Sequence, residues 1–170
     1  MQKGLVSYKL LSEGWDVSDH FGGGYDLTAE KENRFIKIEL KAIDLNSIKK
    51  GNHATQRLSA NELVTATHLI VTVFNNIEMK GNYVMSIRQF VENSGIKKYK
   101  KYSDFTEFMD CYKQLAKEKS LRRKNSTSQR KQLYFDINFN PENIEYWKFY
   151  RFKDVWENLK KGEQGAAGDL

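Results

Sequence analysis

Apolar and polar positions alternate most clearly over residues 34–43, where Ile36, Ile38, Leu40 and Ala42 interleave with Lys37, Glu39 and Lys41. A period of two is that of a strand, whose side chains point alternately to its two faces. Residues 25–31 alternate in the same way. The short polar connection Lys31-Glu32-Asn33-Arg34 predicts that the two runs pair as a hairpin. Upstream, residues 2–13 set Leu5, Tyr8, Leu10 and Leu11 near one face of a helix that Gly14 stops. Residues 15–24 read as a loop, and the three glycines at 22–24 allow it a sharp turn. They are not a phosphate loop, since no Lys-Ser or Lys-Thr follows.

Residues 44–58 read as a second loop. Ser59 and Glu62 then form a reciprocal cap opening a short helix to about Ala66. Residues 68–74, HLIVTVF, are a nearly continuous apolar strand of the kind covered on both faces. After Gly81 a short strand is expected over 82–85. A helix capped by Ser86 and Gln89 runs to about Asn93, and Gly95 ends it. An amphipathic helix over 103–119 turns Phe105, Phe108, Met109, Tyr112 and Leu115 inward. A polar, basic loop over 120–131, a strand over 132–139 and an aromatic-rich segment over 143–160, with a helix near 153–160, complete the series. The element order predicts an α/β layer fold.

The 170 residues suit one domain, expected to run from 1 to 160: a core over about 2–94, a basic helical and loop extension over 97–131, and a C-terminal strand and helix over 132–160. Residues 162–170 read as a disordered tail. No apolar run approaches the ~20 residues of a membrane span, and no secretory leader is expected. The single cysteine, Cys111, falls in a helical pattern and reads as a buried thiol, which fits a reducing cytoplasm.

Charge sharpens this picture. The chain carries a net +6, yet residues 97–131 alone hold twelve Lys or Arg against four Asp or Glu. The remainder is therefore slightly acidic. A basic block beside an acidic remainder suits a polyanion-binding surface, and it also describes a solvated charged face. Arg122, Arg123, Lys124, Arg130 and Lys131 are the candidate phosphate contacts of this block. Lys49, Lys50 and His53 are candidates on the loop that follows the central strand. His20, His53 and His68 lack metal-ligand spacing, and His68 reads as structural. Tyr146, Trp147, Phe149, Tyr150, Phe152 and Trp156 could stack on bases, but core packing or a dimer surface explains them better.

Candidate chemistry comes from the hairpin. Folding it about the Glu32–Asn33 midpoint sets Leu27 against Ile38, Ala29 against Ile36 and Tyr25 against Leu40 on one apolar face. Asp26 then stands across from Glu39 on the other face, with Lys41 one step along. Directly opposed Cβ atoms lie roughly 4.5–5.5 Å apart. A one-residue slip would turn the acids into the core, so the apolar pattern selects this register. Two carboxylates this close call for a cation, and oxygen ligands favour Mg²⁺ or Mn²⁺. Acid, acid and lysine on a strand pair are the makings of a phosphodiester hydrolysis site. An exposed sheet face with one salt bridge is the plainer alternative.

With Gly24-Tyr25-Asp26-Leu27 as a first motif and Ile38-Glu39-Leu40-Lys41 as a second, the stretch from about residue 5 to 74 resembles the core of the PD-(D/E)XK nuclease superfamily. Within it, the chain resembles most the nuclease-like domain at the C-terminus of NO VEIN-type proteins and of bacterial restriction and defence proteins. There a G-Y-D, an I-E-V-K and a helix opening S/T-x-N-E follow one another; here that helix opening reads Ser59-Ala60-Asn61-Glu62. The resemblance implies a restriction-endonuclease-like core, a mixed central β-sheet flanked by helices. It implies that Asp26, Glu39 and the Leu40 carbonyl bind the metal and that Lys41 positions the nucleophile. Asn61 and Glu62 become secondary candidates, with helix capping as their other role. Glu13 is a further one, because residues 1–12 hold no acid. The expected activity is Mg²⁺-dependent DNA cleavage in a restriction or defence system, by a homodimer or as part of a larger protein. A non-catalytic DNA-binding module, a nuclease acting on RNA or single strands, and an interaction domain for an acidic protein are the alternatives.

Overall fold

A computed structural model describes residues 2–48, 54–94, 102–122, 134–139 and 147–160. Its elements are α1 (Gln2–Ser12), β1 (Asp16–Asp19), β2 (Leu27–Lys31), β3 (Arg34–Asp44), β4 (Ala54–Ser59), α2 (Ala60–Thr65), β5 (His68–Asn75), β6 (Glu78–Ser86), α3 (Ile87–Asn93), α4 (Phe105–Arg122) and β7 (Tyr134–Phe139). Five strands form one mixed sheet in the order β1-β2-β3-β5-β6, with β3 and β5 parallel and the other pairs antiparallel. A separate antiparallel pair joins β4 to β7. The chain is thus an α/β fold with a mixed sheet flanked by helices.

The β2–β3 hairpin pairs Leu27 with Ile38 and Ala29 with Ile36, as its apolar pattern selects, but the ladder ends at Leu27. The expected Asp26–Glu39 and Tyr25–Leu40 pairs lie beyond it, and Tyr25 packs on the opposite cluster from Leu40 because the chain turns at the glycines before it. Glu32 and Asn33 turn the hairpin with φ of 50° and 63°, the left-handed pair that matches strand twist in a two-residue loop. The two faces of the sheet bury different clusters. Leu27, Ala29, Ile36, Ile38 and Leu40 pack with Val6 and Leu10 of α1 and with Trp15. On the opposite face Ile43, Leu69, Val71 and Val73 pack under Leu63 of α2, Phe90 of α3, Phe108 and Tyr112 of α4, and the β4–β7 pair.

Helix ends follow their local chemistry. Gly14, at φ 81°, ends α1. Its N–H donates to the Leu11 carbonyl (2.9 Å) and the Trp15 N–H to that of Leu10 (3.0 Å), while Trp15 and Leu10 share a cluster; this is a Schellman motif with its apolar contact. Ser59–Glu62 and Ser86–Gln89 both close as reciprocal capping boxes.

Several sequence expectations are corrected. Val6 and Leu10, four residues apart, form the inward stripe of α1, while Leu5, Tyr8 and Leu11 face outward. The helix buries the face that meets the sheet, and a helical wheel alone offers both. Part of the expected loop over 15–24 is β1, and part of that over 44–58 is β4; each is held by a partner that its own pattern does not announce. β6 begins at Glu78, so Gly81 lies inside it. α4 continues to Arg122, past the expected start of a loop at 120. Near the C-terminus two 3-10 turns, Tyr150–Phe152 and Trp156–Lys160, replace the expected helix. Asp154 stands between them at φ 54°. Its N–H donates to the Asn82 carbonyl (2.5 Å) and its carboxylate accepts from the Asn82 N–H (2.9 Å), fastening the segment to β6. Cys111 is only partly buried, and its Sγ accepts a hydrogen bond from the Tyr102 hydroxyl. Trp147, Phe149 and Phe152 are core residues, Trp156 packs on the α1 side, and Tyr150 is partly exposed. Gly95, Tyr146 and the tail over 162–170 lie outside the described residues. No helix among those described is long and apolar enough to cross a membrane.

Candidate active site

Asp26 sits one residue before β2, where the β2–β3 ladder runs out. Its N–H still donates to the Ile38 carbonyl (2.8 Å), and its own carbonyl accepts from the His20 N–H (3.0 Å). Its carboxylate turns back onto β3 and accepts from the Leu40 N–H at 2.9 Å. In an extended strand a residue's N–H and C=O leave on the same side, so the Leu40 carbonyl flanks Asp26. The turn before it is docked by α2: the Thr65 hydroxyl donates to the Gly24 carbonyl at 2.7 Å. A Cβ on Gly24 would lie 2.2 Å from the Thr65 Oγ1, and φ there is 111°. Only glycine allows this approach.

Glu39 and Lys41 share the face of β3 opposite the α1 cluster. Glu39 is not on an open surface: it is 5% exposed. The Lys41 Nζ lies 2.7 Å from the Glu39 Oε1 and 3.1 Å from the Glu62 Oε1. Glu62 is held in turn, its second oxygen accepting from the Ser59 N–H at 2.5 Å. One carboxylate thus caps α2 and meets Lys41.

The electrostatics follow from this crowding. Burial pushes the Glu39 carboxyl up to about 7; contact with Lys41 opposes the shift, and the negative charges of Glu62 and Asp26 add to it. Burial works against the Lys41 charge, but Glu39 and Glu62 more than offset it and hold its pKa above the ordinary lysine range. Burial likewise opposes the Glu62 charge, and the Ser59 N–H and Lys41 overcome it, leaving Glu62 below the usual carboxylate range. Two glutamates therefore share the Lys41 ammonium, and the Asp26 carboxylate adds to the negative charge felt by Glu39.

The donor set fits a hard divalent cation: carboxylate oxygens of Asp26 and Glu39 with the Leu40 carbonyl. Among the described residues no three His, Cys, Asp or Glu gather so that together they could hold a metal ion. An open set of two carboxylates is the usual form of a Mg²⁺ site completed by water and phosphate.

The other sequence candidates lie elsewhere. Glu13, at the end of α1, pairs with Lys9 at 2.6 Å, which keeps its pKa low. Asn61 is exposed on α2, its side-chain amide lying against the Gly23–Gly24 turn. Lys49, Lys50, His53, Arg123, Lys124, Arg130 and Lys131 lie outside the described residues, and Arg122 is described only as the last residue of α4. The sequence reading missed Thr65, which docks the glycine turn, and Lys37, which joins Glu39 and Lys41 on one face. The alternation of β3 carries the Lys37 position in plain view; nothing local points to Thr65.

No protein-family model matches the chain, and no curated protein sequence matches it. Among solved structures it is similar to a Holliday junction resolvase of Archaeoglobus fulgidus, an archaeal hyperthermophile. That match has 14% identity, covers 52% of this chain and 71% of the resolvase, and has a TM-score of 0.35. It is also similar to a bacterial homing endonuclease, with 16% identity over 72% of this chain and 93% of the endonuclease and a TM-score of 0.40.

Proposed function

We propose that this chain is a divalent-cation-dependent DNA endonuclease of the PD-(D/E)XK type, acting as one domain over residues 1–160, in a restriction or defence system. One observation carries the reading. At the open end of the β2–β3 ladder, Asp26 turns back onto the backbone of β3 beside the Glu39–Lys41 pair, whose lysine also meets Glu62.

Asp26, Glu39 and the Leu40 carbonyl would hold Mg²⁺ or Mn²⁺. When bound, such an ion offsets charge on the phosphate and makes water more acidic. The rest of the chemistry belongs to the chain. Lys41 stays an ammonium at neutral pH, because both glutamates favour its charge. It is therefore a hydrogen-bond donor and not a proton acceptor. Two of its three N–H bonds face Glu39 and Glu62; the third is left for an attacking water or a phosphate oxygen. Glu62 and the capping box hold Lys41 in place, which is how a site pre-organises its charges before the substrate arrives. Thr65 and the glycine turn fix the entry of the chain into Asp26.

A second reading has its own support. Glu39 is almost wholly buried and Lys41 already has two partners, so the triad could serve as an internal ion-pair network in a DNA-binding module. Incubation with supercoiled plasmid, linear duplex and single strands, with Mg²⁺, Mn²⁺ or EDTA, separates the two. Metal-dependent cleavage is expected, and Lys41→Ala and Asp26→Ala should each lower it by about 100-fold or more. Cleavage that survives either substitution rules out the proposed site. DNA binding without cleavage under every metal favours the module.

A further inference from the structure

Lys37 stands on the same face of β3 as Glu39 and Lys41, one two-residue step before Glu39, or about 6.6 Å along a strand. Its backbone is fastened at both polar atoms. The N–H donates to the Thr67 Oγ1 (2.9 Å), and the carbonyl accepts from the Thr67 N–H (2.8 Å) and hydroxyl (3.0 Å). The root of the side chain is thereby fixed at the junction of α2 and β5. Its ammonium lies over the Tyr25 ring, 5.5 Å from the centroid. Tyr25 in turn stacks on His20, with centroids 3.9 Å apart and planes 20° from parallel. Tyr25 immediately precedes Asp26, so this stack forms the flank of the site.

The two lysines differ in their partners. Lys41 is neutralised by two carboxylates. Among the described residues, Lys37 has no carboxylate within ion-pair distance, although it is partly buried. A cation seated on aromatic rings keeps its charge available while part of its hydration is replaced by the ring face. The anion that belongs beside a scissile phosphate is the next phosphate of the same strand.

We infer that Lys37, braced by Tyr25 and His20, holds the backbone phosphate adjacent to the one that is cut. The inference rests on the endonuclease reading and extends its site by one phosphate. Lys37 acts here as a positioning residue: it fixes the register of the strand against Asp26 and takes no part in bond breaking.

The test is the salt dependence of binding. A labelled duplex DNA oligonucleotide is titrated with the wild-type chain and with Lys37→Gln and Lys37→Arg, in EDTA, over a series of monovalent salt concentrations. Each phosphate neutralised contributes about 0.9 to the slope of log K against log salt. Lys37→Gln should lower the slope by about 0.9, and Lys37→Arg should restore it. Lys37→Gln retains both backbone bonds to Thr67, and circular dichroism with a thermal melt verifies its fold. In the cleavage assay the same variant should raise KM, and Lys37→Arg should restore it. An unchanged slope in Lys37→Gln overturns the inference and leaves the endonuclease reading standing. A wild-type chain that binds no DNA overturns both.

Discussion

Glu62 is shared between two tasks, and substitutions can separate them. One oxygen accepts from the Ser59 N–H and the other meets the Lys41 ammonium. Glu62→Gln keeps a cap acceptor and removes the charge. It should leave thermal stability within about 1 kcal/mol, the scale of a single cap, while cleavage falls at least about tenfold. Ser59→Ala should do the reverse, costing about 1 kcal/mol in denaturant unfolding with a smaller effect on rate. Equal losses of stability in both variants would mean that Glu62 only caps. Past the end of the ladder, where Asp26 turns back to the Leu40 N–H, alternation gives no guide, but Glu39 and Lys41 could be placed on one face from the sequence because strand alternation is a local rule. The Lys41–Glu62 contact could not be read from it. Glu62 follows Lys41 by 21 positions, and only the packing of α2 over β3 closes that distance. The near-complete burial of Glu39 was hidden for the same reason.

The hairpin that brings Asp26 to β3 depends on a turn whose residues are not the best for it. Both central positions have positive φ, and one of them is Glu32. Asn-Gly is the favoured pair there. Glu32→Asn combined with Asn33→Gly should stabilise the chain by about 0.5–1 kcal/mol, read as a rise in melting temperature with no change in cleavage. A fall in melting temperature would mean that the Glu32 side chain has a role in the turn beyond its backbone. Among the elements, those that carry their own punctuation were legible: α2 and α3 by their capping boxes, α1 by Gly14, and β2 with β3 by alternation. β1 and β4 were not, because four to six mostly polar residues become a strand only when an edge elsewhere accepts their N–H and C=O groups. The C-terminal 3-10 turns escaped for a similar reason, since the Asp154–Asn82 bonds that interrupt a helix there span 72 positions.

Across the whole molecule, the sheet is covered on both faces, and His68 is among the buried titratable groups that the proposed chemistry does not use. His68 opens β5 with no exposed surface, and its Nδ1 meets the Thr67 hydroxyl. Burial drives its pKa from 6.5 down to about 4. The folded state therefore favours the neutral ring. That contribution is fully present above pH 6.5 and is lost as the pH falls toward 4, since the unfolded chain takes up the proton first. Its full size is about 3 kcal/mol. Thermal midpoints measured from pH 7 to 4 should fall more steeply for the wild-type chain than for His68→Gln. Parallel curves would show that His68 is protonated equally in both states.

Short-range rules reach the hairpin and its register from Leu27 to Lys31, the capped helices, the apolar strand through the middle of the chain, and the common face of Glu39 and Lys41. Tertiary structure alone decided which stripe of α1 turns inward, which polar segments became edge strands, and that α2 closes over Glu39 and lends Glu62 to Lys41. The division is physical. A side chain's direction is set by the backbone within a few residues of it, whereas burial and ion pairing depend on which distant surface arrives to cover it.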